Sequence, residues 1–512
     1  MAFLLGIDIG TTGAKAVLIG PEGNVAAEAM TEYPLFAPRP GWSEQEPADW
    51  WKAAQTSIRR LFAQSLVKPS QVAGIGLSGQ MHGLVLLDRE GRPLRRCIMW
   101  NDQRTAKQCR EITDRVGRER LIRLTGKPAL TGFTAGKILW VREYEPEVFA
   151  QAATLQLPKD FVRYQLTGAL AMDVADASGT NLLDTGRRQW SDEIIQALDL
   201  PRTLLPQVYE CAQVCGKVTA EAAAATGLTE GTPVVAGAGD QAAQSIGTGI
   251  TGPGTISVTI GTSGVVFAAT DSYMPDAQGR LHAYCHAVPG KWHLMGVTLA
   301  AGGSLRWLRD TVCESEKTRA AASGQDAYDL MTEAASRVPP GCEGLLFLPY
   351  LSGERTPYPD PDARGVFSGL SLTTTRAHII RAVLEGVTFS LRDCLDLLCS
   401  LGVCFGRIRV SGGGARSELW RRMMADVFNS EVVELNVMQG ACYGAALLAG
   451  VGVGVFQDAE DACIRTIREI GSIWPGKNRA VYEPYYERFR ALYPALKDEF
   501  GRMGKVTDPA RE

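Results

Sequence analysis

Apolar side chains at Ile7, Ile9, Val17 and Ile19 alternate with small or polar ones, a period of two that predicts two strands of a hairpin. Short apolar runs at residues 72–77, 84–87, 233–236 and 408–410 read as further strands. Residues 48–64 read as an amphipathic helix. Residues 155–166, 241–246, 418–428, 441–449 and 482–499 also read as helices. Residues 299–310 read as a Gly-Gly turn leading into a helix, and the polar tail after Gly504 is expected to fray. Strands alternating with helices predict an α/β protein.

The first hairpin carries the first chemical signal. Its turn, Gly10-Thr11-Thr12-Gly13, offers flexible backbone, N–H groups and two hydroxyls, which suits phosphate oxygens. Asp8 sits just before it between apolar neighbours. A carboxylate beside phosphates is repelled unless a cation intervenes, and Mg²⁺ is the expected cation. The alternative is a plain glycine turn with Asp8 bonded to backbone. The turn lacks the Gly-Lys-Ser/Thr ending of a Walker A loop.

An internal echo favours the phosphate reading. SVTIGTSG, from Ser257 to Gly264, aligns position for position with GIDIGTTG, from Gly6 to Gly13. Thr259 falls opposite Asp8, and both copies run on into apolar residues. A repeat near the midpoint of 512 residues predicts two similar domains, 1–250 and 251–512.

Polar residues gather where the predicted strands end. Ser78-Gly79-Gln80-Met81-His82-Gly83 follows one strand, and Trp100-Asn101-Asp102 follows another apolar run. His82 is the only histidine in the first half of the chain. It is either a core histidine or part of a ligand-facing loop, and its glycine flanks and the neighbouring Gln80 favour the loop. Trp100 is either core or, with Asn101 and Asp102, part of a site for a hydroxyl-rich ligand. Residues 176–180 read as a small polar loop. Asp240 follows Gly237-Ala238-Gly239 at a strand–helix junction, where it is either a helix N-cap or a general base. Ser411-Gly412-Gly413-Gly414 is a glycine-rich strand–helix turn, a weak nucleotide signal by itself.

Composition narrows the partners. A net charge of −3 favours neither nucleic acid nor an anionic membrane, and the basic stretch at 89–96 reads as a solvated loop. No apolar run approaches the roughly 18 residues of a membrane span. The start, MAFLLGID, lacks the pattern of a signal peptide. The 12 cysteines are scattered without paired CxxC spacing and read as buried reduced thiols. These features predict a cytoplasmic protein.

Taken together, GIDIGTTGAKAVL, GWSEQEPADWW, GQMHGLVLLD, MWNDQRT, GFTAGKILWV, LPKDF, DASGT, GAGD, IGTSG, LPYLSGERTP and SGGGARSELW resemble the FGGY family of carbohydrate kinases. Residues 365–385 look like the family's longer signature and residues 132–144 like the shorter one, with Tyr144 where a smaller polar residue or His is usual. The resemblance runs from about Leu5 to the C-terminal helix. It implies two actin-like, ribonuclease-H-like ATPase domains of the ASKHA superfamily around a central cleft, with a hinge that closes over the substrates. ATP and Mg²⁺ are the implied cofactors. Thr11, Thr12, Lys15 and Thr262 would serve the phosphates, and Gly302, Gly413 and Gly414 the adenosine. Asp8 would hold Mg²⁺. Met81, His82, Trp100, Asn101, Asp102 and Asp240 would face the sugar, with Asp240 as general base. GWSEQEP, QMHG and WND point to the xylulose-phosphorylating branch, leaving ribulose, glycerol, erythritol and gluconate as alternative substrates. A homodimer is left open. An actin- or chaperone-like ATPase on the same scaffold is the alternative from another class.

Overall fold

A computed structural model describes residues 2–507. The chain forms two compact units. Among the described residues, one comprises 2–252, Ala269–His293 and Gln439–Arg468; the other comprises Pro253–Ala268, Leu294–Met438 and 469–507.

The first unit is built on β1 (Phe3–Ile9), β2 (Gly13–Ile19), β3 (Val25–Glu32), β4 (Val72–Gly79), β5 (Val214–Lys217), β6 (Pro233–Val235) and β7 (Ala238–Gly239). Their order in the sheet is β3-β2-β1-β4-β6-β5, with β7 also on β4. The β1–β2–β3 meander is antiparallel, and β4 runs parallel to β1, β6 and β7. The helix Pro47–Ala63 covers one face. Its stripe of Trp50, Ile58 and Leu61, at helical spacing, packs with Ile7, Leu18 and Ile75 in one buried cluster.

The other face is held by helix Gly440–Gly452, which lies directly on the strand backbones. A Cβ on Gly6 would fall 2.0 Å from the Cys442 carbonyl oxygen, and one on Gly76 2.0 Å from that of Ala445. The same helix seats helix Asp240–Gly247, where a Cβ on Gly444 would fall 1.8 Å from the Ala243 oxygen. Two backbones this close have no room for a methyl group. Gly444→Ala should therefore destabilise the protein by about 1–3 kcal/mol through overpacking. Thermal unfolding reads this as a lowered Tm, and an unchanged Tm would show that the two helices are not locked by contact.

The second unit repeats the plan. Its strands are β8 (Gly254–Ile260), β9 (Gly264–Thr270), β10 (Trp292–Thr298), β11 (Phe405–Ser411), β12 (Glu431–Leu435) and β13 (Glu469–Ile473). They run in the order β10-β9-β8-β11-β12-β13, with β8 antiparallel to β9, parallel to β11, and β11 parallel to β12. Thr259 on β8 lies opposite Ser411 on β11, as Asp8 on β1 lies opposite Ser78 on β4. The duplication expected from the repeat is thus real at the level of sheet register. It gives each unit the ribonuclease-H-like order.

Local differences from the expected elements have simple causes. Residues 154–156 form a strand, and the helix after them starts at Pro158, whose fixed φ suits a first helical position. Gly302 and Gly303 lie inside the first turn of helix Gly302–Thr311, not in a turn before it. The basic stretch is only partly solvated, because Arg95 bridges Glu44 at 2.8 Å and Glu145 at 3.0 Å. The C-terminal helix runs from Arg479 to Thr507, past the expected fraying point; the rest of the tail lies outside the described residues. None of the 12 cysteines is in a disulfide, and most of them are buried. Among the described residues, no helix is long and apolar enough to cross a membrane.

Candidate active site

Two carboxylates leave the same end of the first sheet. Asp8 is on β1, opposite Ser78 of β4; on the other side of β4, Gly239 of β7 lies opposite Gly79, and Asp240 follows. Their backbones stand two strand spacings apart, about 10 Å. Gly239 occupies the cap position of helix Asp240–Gly247 and Asp240 is its first residue, so Asp240 is not the N-cap. Burial pushes the Asp240 carboxyl up to about 7, and the charge of Asp8 adds to the rise. Asp8 is itself raised by burial, against the opposing influence of Ser78 and Lys15. Its Oδ1 is buried with no hydrogen-bond partner among the described residues. A desolvated carboxylate oxygen with nothing donating to it suits a hard cation.

The phosphate-type turn is tied down by a polar chain. Thr11 Oγ1 accepts from Trp100 Nε1 at 3.1 Å and donates to Gln80 Oε1 at 3.4 Å. Gln45 Nε2 donates to the Thr11 carbonyl at 2.7 Å, while Gln45 Oε1 accepts from Gln80 at 2.9 Å and Trp50 at 3.0 Å. The Tyr33 hydroxyl donates to the Gly10 carbonyl. Gln45 and Gln80 are therefore the turn's anchors; the sequence points to Gln80 only as a polar neighbour of His82 and does not point to Gln45. The available signal was a glutamine isolated in each of GWSEQEP and GQMHG. Thr12 is exposed, and Lys15 pairs with Glu28 at 2.9 Å.

Met81 and His82 are buried together beyond β4. The His82 Nδ1–H donates to the Gly179 carbonyl at 2.8 Å, which makes Nε2 the acceptor nitrogen of the neutral ring. Gly179 is needed there, since a Cβ would fall 2.9 Å from the ring. Asn101 is exposed. Asp102 is buried and already engaged: Arg104 grips both its oxygens at 2.9 and 2.7 Å, and the Ser43 N–H donates to one at 2.6 Å. It braces the loop rather than standing open.

The expected polar loop at 176–180 is instead wholly buried, its first residues in helix Val174–Ser178. Charge pairing makes this possible. Lys159 Nζ lies 2.6 Å from Asp160, 2.5 Å from Asp173 and 2.8 Å from Asp176, and Arg163 bonds Asp160 at 2.8 Å. A Cβ on Gly239 would fall 2.7 Å from Asp176 Oδ1, so this cluster backs the strand that presents Asp240.

The second unit contains a cavity of about 480 Å³ lined by Thr262, Gly302, Gly413 and Gly414, with Tyr328 and Arg416 among its other walls. The Ala301 and Gly303 N–H groups both donate to the Thr262 carbonyl at 2.9 Å. Gly414 is pinned, since a Cβ would fall 2.5 Å from Ile260, while Gly413 borders open space. The volume suits a nucleoside. Tyr328 sits at the start of helix Ala327–Ser336 and carried no sequence signal.

Residues 3–247 match the N-terminal domain of the FGGY family of carbohydrate kinases and residues 256–453 its C-terminal domain. The xylulose kinase of Bacillus subtilis is 38% identical over 499 residues, 97% of this chain and 98% of that protein. The crystal structure of a "xyloylose kinase" from Brucella ovis, 40% identical, superposes with a TM-score of 0.87 over 97% of this chain and 99% of that one. The gluconokinase of Bacillus subtilis is 34% identical over 458 residues, 88% of each chain. The chain belongs to the FGGY family of carbohydrate kinases. It is an enzyme of that family, with the family's actin-like ATPase fold.

Proposed function

We propose that the chain transfers the γ-phosphoryl group of ATP to D-xylulose, giving D-xylulose 5-phosphate and ADP, in the cytoplasm. The observation that carries the chemistry is the Asp8–Asp240 pair: two half-buried carboxylates, one on β1 and one just past β7, with Asp240 poised near neutrality. The sugar is supported by the near-full-length similarity to xylulose kinases. Asp240 accepts the proton of the attacking hydroxyl as that oxygen bonds phosphorus. Met81 and His82 hold the sugar, with His82 Nε2 accepting from a hydroxyl. Asn101 completes the polar wall, and Trp100 and Asp102 act by bracing it. Thr11, Thr12 and Lys15 serve the phosphates; Thr262, Gly302, Gly413 and Gly414 serve the nucleotide. Asp8, with its unpartnered oxygen, would hold Mg²⁺ directly or through water, and the ion supplies charge neutralisation to the phosphates.

A gluconate-phosphorylating enzyme is the second reading, favoured by the 34% identity to a gluconokinase. An actin- or chaperone-like ATPase is separated by one measurement: ADP release from Mg·ATP with and without sugar. The proposed kinase releases ADP only slowly until D-xylulose is added. A rate indifferent to every sugar overturns the kinase reading.

A further inference from the structure

The motif Gly132-Phe133-Thr134-Ala135-Gly136-Lys137 has no part in the chemistry above, yet its side chains converge on one residue. His82 has φ +69°, the left-handed region that a non-glycine residue rarely adopts. Its carbonyl accepts two hydrogen bonds, from Lys137 Nζ at 2.8 Å and from Thr134 Oγ1 at 3.1 Å. Thr134 and Lys137 stand one turn apart at the start of helix Thr134–Tyr144, so one helix face aims both donors at the same oxygen. Phe133, the cap residue of that helix, meets the His82 ring edge-on with centroids 4.7 Å apart. Lys137 is fully buried, and its second acceptor is the Gly132 carbonyl at 2.8 Å. Gly132 must be glycine, because a Cβ would fall 2.5 Å from the Trp100 carbonyl.

A buried ammonium normally sits against a carboxylate, as Lys159 does. Lys137 instead turns its N–H groups to two backbone carbonyls, one of them belonging to a residue in a strained conformation, and burial lowers its pKa to about 7. Two donors on one buried carbonyl oppose relaxation of His82 out of the left-handed region. With Nδ1 fixed by Gly179 and the backbone fixed by Lys137 and Thr134, the ring has one orientation.

We infer that Lys137, seconded by Thr134, is a positioning residue that locks His82 in its left-handed conformation and so sets sugar affinity. The inference rests on the reading of His82 as a sugar contact. Three variants of the full chain test it: Lys137→Met, which keeps the stem and removes the donors; Thr134→Val, which is nearly isosteric; and His82→Ala. The readouts are KM for D-xylulose and for ATP, kcat, and the sugar Kd by calorimetry. Lys137→Met is expected to raise sugar KM and Kd about tenfold, with kcat changed less than threefold and ATP KM less than twofold. Thr134→Val should move sugar KM about threefold in the same direction. In the His82→Ala background, Lys137→Met should add less than a twofold further rise, because its target ring is gone. Should Lys137→Met not fold, Thr134→Val and its combination with His82→Ala decide the matter. Sugar KM unchanged in Thr134→Val, or effects that add fully to that of His82→Ala, overturn the inference while leaving His82 a sugar contact. If His82→Ala alone leaves sugar KM and Kd unchanged, the sugar reading of His82 fails and the inference falls with it.

Discussion

Asp240→Asn should lower kcat by about 10²–10⁴ while sugar KM stays within about threefold, the cost typical of removing a positioned general base. The amide keeps the shape and the place at the first turn of helix Asp240–Gly247, but it cannot accept the proton. Steady-state ADP release, with circular dichroism to confirm the fold, is the measurement. A kcat within threefold of wild type would reduce Asp240 to a structural residue. The wild-type pH profile makes an independent check. A base must be deprotonated to act, and burial pushes this carboxyl up to about 7. So kcat/KM for the sugar should climb about tenfold per pH unit below that value and level off above it. The proton is bound on the acid side, so activity is lost as pH falls.

Asp8→Asn should weaken productive use of Mg·ATP, with kcat down by on the order of 10² and the Mg²⁺ requirement shifted upward, while sugar Kd hardly moves. The reason is the unpartnered oxygen of Asp8 at the strand end beside the phosphate-type turn. A second consequence involves Asp240. Removing the Asp8 charge removes a like charge that holds the Asp240 carboxyl up. The rising limb of the pH profile should therefore move to lower pH in Asp8→Asn. An Mg²⁺ titration and a pH profile that both match wild type would refute the assignment.

Much of this is legible in the sequence alone. The period-two apolar pattern and the GIDIGTTG/SVTIGTSG echo predicted the paired hairpins, because a half-buried strand must alternate and a glycine turn must recur where the backbone is approached closely. Less visible was how far the duplication extends. Ser78-Gly79-Gln80-Met81 and Ser411-Gly412-Gly413-Gly414 leave equivalent strands, yet they share only Ser-Gly, so register alone reveals their kinship. The candidate site is legible in its carboxylates and not in its supports. Gln45, Gln80 and Lys137 act through contacts 34 to 69 residues apart and Lys159 through buried pairing, and no local pattern reports either. Asp102 is the converse case. A carboxylate next to a tryptophan reads as ligand-facing, but Arg104, two residues on, occupies both of its oxygens.

The identity of the phosphorylated sugar is decided by how many of its oxygens find partners. A linear ketopentose presents an oxygen on every carbon to the polar groups gathered around His82 and Asp240. Glycerol would leave several of them unpaired, and rejection of that kind can reach about 10⁴. D-ribulose differs only at C3 and should be a poorer substrate, not an inert one. The measurement is kcat/KM at saturating Mg·ATP for D-xylulose, D-ribulose, gluconate, glycerol and erythritol. D-xylulose is predicted to have the highest value. If gluconate or any other of these exceeds it tenfold or more, the chain remains a carbohydrate kinase and the D-xylulose assignment is contradicted.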